Sequence, residues 1–107
     1  MNTPMLHLNL KRKWFDMIQS GIKDVEYREV KPYWTRIFGN EDGIKIKGKF
    51  YNPKDILICF SNGYSKDRDH FYCKLKGVVL GEGVYAWGGE KGILCYLLVL
   101  GEVLGEQ

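Results

Sequence analysis

From Cys73 to Trp87, and again from Ile93 to Leu104, the chain is rich in apolar and strand-forming residues, and Gly77, Gly81 and Gly83 interrupt the first stretch. Glycine weakens a flat strand, so a strand segment that keeps several glycines is one that bulges or turns a corner. That combination points to a small β-barrel. At 107 residues the chain has the size of one domain, spanning 1–107. The expected class is mainly β with short helices (α+β).

The first half supplies the helices. Met5 to Asn9 alternates as a first strand, and Leu10, Trp14, Met17 and Ile18 then recur at helical spacing, with Asn9 placed to cap the start and Gly21 to stop the helix after Ser20. Asp24 to Val30 alternates again, setting Val25 and Tyr27 on one face and Glu26 and Arg28 on the other. Pro32 opens a second helical turn carrying Tyr33, Trp34, Ile37 and Phe38, which breaks at Gly39. A polar stretch with a hairpin around Gly48 follows, and Asp55 to Phe60 reads as a buried strand ending in the turn Asn62-Gly63. The expected architecture is a closed or nearly closed barrel of five or six strands, with the helix that ends near Ser20 against one opening.

Composition excludes several classes. With 45% apolar and 14% aromatic residues the chain can pack a core, unlike a disordered one. Its longest apolar stretch, Ile93 to Leu100, falls far short of the roughly 20 residues that cross a bilayer, so no membrane partner is expected. Met1 to Asn9 lacks the pattern of a secretory signal, which gives a cytoplasmic expectation. Cys59, Cys73 and Cys95 show no C-x-x-C spacing and lie in apolar segments, as buried free thiols do in a reducing compartment. His7 and His70 stand apart from them, so neither a metal nor another cofactor is expected. A net charge of +3 permits a polyanionic partner without requiring one. Nothing in the sequence sets an oligomeric state.

Chemistry concentrates between Ser20 and Arg28. Gly21 tolerates positive φ, so the chain can turn sharply and deliver Lys23 near a rim at the mouth of the next strand. Glu26 and Arg28, two apart on a strand, share a face and can pair, which orients the guanidinium for a phosphate or carbonyl. Lys23, Glu26 and Arg28 are expected to line one cleft, with Asn62 or Tyr64 near its rim. The plainer account is a solvated charged face or a structural ion pair. Phe60 to Tyr64 offers a hydroxyl, an amide and a phenol on one turn, able to read or stack on a base, although Asn62-Gly63 is also an ordinary turn signal. Lys45, Lys47 and Lys49 alternate on what reads as one strand face, either following a phosphate backbone with Lys54 or keeping a strand edge soluble.

Gly21, Lys23, Glu26 and Arg28 spell Gly-x-Lys-x-x-Glu-x-Arg, and here the chain resembles the ASCH family, whose members share a PUA-like barrel and carry this motif between the first helix and the following strand. Lys31-Pro32-Tyr33-Trp34 and Phe60-Ser61-Asn62-Gly63-Tyr64 also look like segments of small ASCH proteins. The resemblance implies a domain that binds RNA or a nucleotide-like ligand in a polar pocket, through Gly21, Lys23, Glu26, Arg28, Asn62 and Tyr64. It also leaves an enzyme open, because some small ASCH proteins are hydrolases of N4-acetylcytidine and others are ribonucleases. In the amidohydrolase branch a threonine nucleophile stands three positions after the lysine. Glu26 takes that place here, so Lys23 and Glu26 would instead act as charge stabiliser and general base. A protein-interaction module without pocket chemistry is the third reading; it expects the three charged residues to be exposed and apart.

Overall fold

Leu6, Leu8 and Leu10 alternate with His7 and Asn9, and this period of two turns the three leucines into the core along strand β1 (Met5–Leu10). The computed structural model describes residues 3–63 and 66–105. Helix α1 (Arg12–Gln19) follows, then β2 (Val25–Glu29), α2 (Pro32–Phe38), the hairpin strands β3 (Ile44–Ile46) and β4 (Lys49–Tyr51), and a 3-10 turn at Pro53–Asp55. Strands β5 (Leu57–Asn62) and β6 (His70–Glu82), a 3-10 turn at Tyr85–Trp87 and β7 (Leu94–Leu104) complete the described chain.

Five strands form one sheet in the order β1-β5-β6-β7-β2, parallel between β1 and β5 and antiparallel elsewhere. The core lies against it: Phe15 and Ile18 of α1, Ile58 and Phe60 of β5, Phe71 and Leu75 of β6, and Leu98 and Leu100 of β7 are buried, with the rings of Phe15 and Phe71 4.9 Å apart. Each such side chain contributes roughly 1.5–3 kcal/mol through burial. No helix among the described residues is long and apolar enough to cross a membrane.

Several expectations change. The chain is mostly β with two short helices, as expected, but its five-stranded sheet is not closed, since it ends at β1 on one side and β2 on the other. What reaches across between these two edge strands is a side chain: Arg28 Nη2 donates to the Asn9 carbonyl oxygen at 3.0 Å. Asn9 does not cap α1. β1 continues in register to Leu10, opposite Asn62, so the helix starts two residues later, with Lys11 at the cap position and no side-chain cap bond. The register shifts fall between Cys73 and Leu75 and between Leu75 and Gly77, whereas Gly81 pairs regularly with Cys95. The Gly48 hairpin is present, but Lys47 occupies its turn at φ 50° and Lys45 and Lys49 lie opposite Phe50 and Ile46. Cross-strand partners share a face, so Lys45 and Lys49 point to opposite sides and no common lysine face forms. Cys59, Cys73 and Cys95 are free and buried. Trp34 packs against the core beside Phe38, while Tyr33 is exposed.

Candidate functional site

Strand β2 decides how the motif is displayed. Glu26 stands opposite Leu98 and Arg28 opposite Tyr96, both buried residues of β7, so the charged face of β2 is the one that faces the core. A solvated charged face is thereby excluded. Lys23 joins this face from the turn after α1, where Gly21 at φ 86° reverses the chain and the Lys23 amide donates to the Met17 carbonyl at 3.0 Å.

The three side chains form a continuous ion chain. Lys23 Nζ donates to Glu26 Oε1 at 2.6 Å, and Arg28 Nη2 lies 2.9 Å from Glu26 Oε2. Lys23 is only 2% exposed and Glu26 6%, so the ammonium is not at a rim as its position after a turn suggested. Removal from water makes such contacts strong and their disruption costly. The Lys23 ammonium sits 5.0 Å from the Trp14 ring and 5.1 Å from that of Tyr27, and the Arg28 guanidinium 5.0 Å from Trp34. These distances allow cation–π attraction. Both oxygens of Glu26 are engaged, and the trio carries one net positive charge.

Two buried polar atoms beside the chain have no protein partner, Arg28 Nε and Asn9 Oδ1. One is a donor and the other an acceptor, and each costs free energy until a ligand or water answers it. Arg28 lines a cleft of about 440 Å³ together with Lys11, Trp14 and Tyr27, faced by Gly88 and Gly89. Asn9 lines an adjoining hollow of about 380 Å³ with Asn62 and Gly63, and Lys11 borders both. Gly21 and Lys23 border a third, of about 460 Å³, on the side of Lys76 and Glu102. The structure thus joins Lys23, Glu26 and Arg28 through their charged ends, but Lys23 and Arg28 border separate hollows and Glu26 borders neither. Asn62 donates to the Leu10 carbonyl at 3.1 Å, which holds it beside Asn9. Tyr64 lies outside the described residues.

The far wall of the cleft is a pinched loop. A Cβ on Gly89 would collide with the Gly83 carbonyl carbon, and one on Gly83 would stand 3.0 Å from the Tyr27 ring, so only glycines permit this approach. Val84 N donates to Tyr27 Oη at 2.9 Å, tying the loop to β2. Burial raises the Tyr27 phenol above its ordinary value. Read from sequence alone, Trp14 belongs only to a helix face and Asn9 to a cap, and neither marks a cleft. The glycine pair was the available signal for a close backbone approach. Among the described residues no three His, Cys, Asp or Glu side chains cluster in the manner of metal ligands. Comparison with protein-family models, curated proteins and solved structures gives no match.

Proposed function

We propose that the chain is an ASCH-type, PUA-like domain that binds RNA or a nucleotide-like ligand in the cleft between α1, β2 and the 83–89 loop. The observation that carries this reading is the Lys23–Glu26–Arg28 chain, buried at Lys23 and Glu26, whose half-buried Arg28 end lines the cleft, with a buried donor and a buried acceptor that have no protein partner, Arg28 Nε and Asn9 Oδ1, close to it. A nucleobase carries donors and acceptors on its edges and a π face, which suits the guanidinium of Arg28 and the ring of Trp14 that line this cleft. The net positive charge of the trio favours an electron-rich carbonyl or phosphate at Arg28. Catalysis by Glu26 is less well served, since a general base needs a free oxygen and both of its oxygens are held.

Calorimetry with nucleosides, N4-acetylcytidine and short RNAs, alongside chromatography for products, tests the proposal. Binding without turnover is expected. Asn9→Ala spares the ion chain, because the bond from Arg28 goes to the backbone of Asn9, and Arg28→Lys removes the Nε donor. Loss of a hydrogen bond to a charged group costs about 1.5–3 kcal/mol, so Arg28→Lys should weaken binding roughly tenfold to hundredfold, and Asn9→Ala by a smaller factor. Affinity for none of the panel, or wild-type affinity in both variants, would remove the cleft from consideration; product formation would establish a hydrolase instead.

A further inference from the structure

Two hollows share a wall at the start of α1. Arg28 lines the cleft and Asn9 the adjoining hollow, and the bond from Arg28 Nη2 to the Asn9 carbonyl oxygen forms the partition between them. Lys11 is exposed and borders both. Their volumes, about 440 and 380 Å³, each lie in the range of small-ligand pockets, roughly 300–1,000 Å³. A single nucleoside fills the first and does not reach into the second.

Charge decides what can cross the partition. The cleft sets two carboxylates, Glu29 and Glu90, against Lys11 and Arg28, whereas Lys11 is the only charged residue among those described around the hollow. Among the described residues no carboxylate lies within ion-pair distance of Lys11. Glu29 and Glu90 oppose a phosphate inside the cleft, which leaves Arg28 for a base carbonyl, and the unpaired ammonium of Lys11 attracts a phosphate at the partition. Beyond it stand two side-chain amides, Asn9, whose buried Oδ1 has no protein partner, and Asn62, held by its bond to the Leu10 carbonyl at 3.1 Å. An amide carries both a donor and an acceptor, as a base edge does. Resting on the cleft as a nucleobase site, we propose that the ligand is a single RNA strand, with one base in the cleft, its phosphodiester on Lys11 and the neighbouring nucleotide in the hollow of Asn9 and Asn62.

Calorimetry on the wild type and on Lys11→Gln measures the two subsites separately, with the four nucleosides, their 3′- and 5′-monophosphates and the full set of dinucleoside monophosphates as probes. For the base that the cleft prefers, a dinucleoside monophosphate is expected to bind at least about tenfold tighter than the nucleoside, and tighter than either monophosphate. Its log K should fall with log salt at a slope of about −0.7, the value for one phosphate of a single strand, while the nucleoside shows no slope. Lys11→Gln should flatten that slope and lower the ratio of dinucleoside to nucleoside affinity by about fivefold, as for an exposed charge pair. A nucleoside that binds, with no dinucleoside monophosphate binding tighter than its monophosphates, overturns the second subsite and leaves the cleft standing. An unchanged slope in Lys11→Gln overturns the place of the phosphate. Affinity for none of the probes removes the nucleobase site, and the strand with it.

Discussion

Glu26 holds Lys23 with one oxygen and Arg28 with the other, which makes it the residue of the motif whose loss does most damage. Glu26→Ala leaves the buried Lys23 and the half-buried Arg28 without their counter-charge and should destabilise by about 3–5 kcal/mol, the range for breaking a buried pair. Lys23→Met should cost distinctly less. Glu26 keeps Arg28, and an unbranched apolar side chain suits the space beside Trp14 and Tyr27. Urea denaturation of the two variants measures the order, and equal midpoints would contradict it. The spacing of Glu26 and Arg28 was enough to foresee their contact. The burial of Lys23 was not legible, because alternation shows that β2 has a charged face without showing which way that face turns. Pairing with β7, some seventy positions on, settles it by setting Glu26 opposite Leu98.

Among the elements, the 83–89 loop departs furthest from what local pattern shows. Gly89→Ala drives a methyl group into the backbone of Gly83 and should open the base of the loop, moving Gly88 away from Trp14, where a Cβ would now stand 3.0 Å from the ring. The expected result is weakened ligand binding with an unchanged far-ultraviolet spectrum. Gly48→Ala is the contrast, since its φ of 80° carries strain but nothing lies within 4 Å of the added carbon. It should cost about 1 kcal/mol, in line with a left-handed residue that gains a side chain, and leave binding alone. Thermal melting and ligand titration on both proteins separate the two mechanisms. Helix and strand positions were readable to within a few residues because they rest on local periodicity. The unpaired sheet edges were not, since closure depends on how strands distant in sequence meet.

At the scale of the whole molecule, buried weak acids set the response to alkali. Burial pushes the Cys73 thiol up to about 11 from its ordinary 9.0, and it raises Cys95 and Tyr27 in the same direction. Between pH 9 and 11 the unfolded chain gives up a Cys73 proton that the folded protein keeps, so stability is intact below this window and falls as pH rises through it. Melting temperature against pH should therefore decline there, and Cys73→Ala should flatten the decline; an unaltered slope would show that other groups cause it. The apolar surroundings of the three cysteines already announced their burial in the sequence, although not which thiol would be the hardest to ionise. The bond from Arg28 to Asn9 reaches further still, because one guanidinium is at once a wall of the cleft and the clasp between the two rims of the sheet. A ligand that draws this group outward would slacken the clasp, and a ligand that steadies it would tighten the rims. Occupancy of the cleft would then be written into the amide exchange rates of β1 and β2, so the protein would carry its own gauge of whether it is loaded.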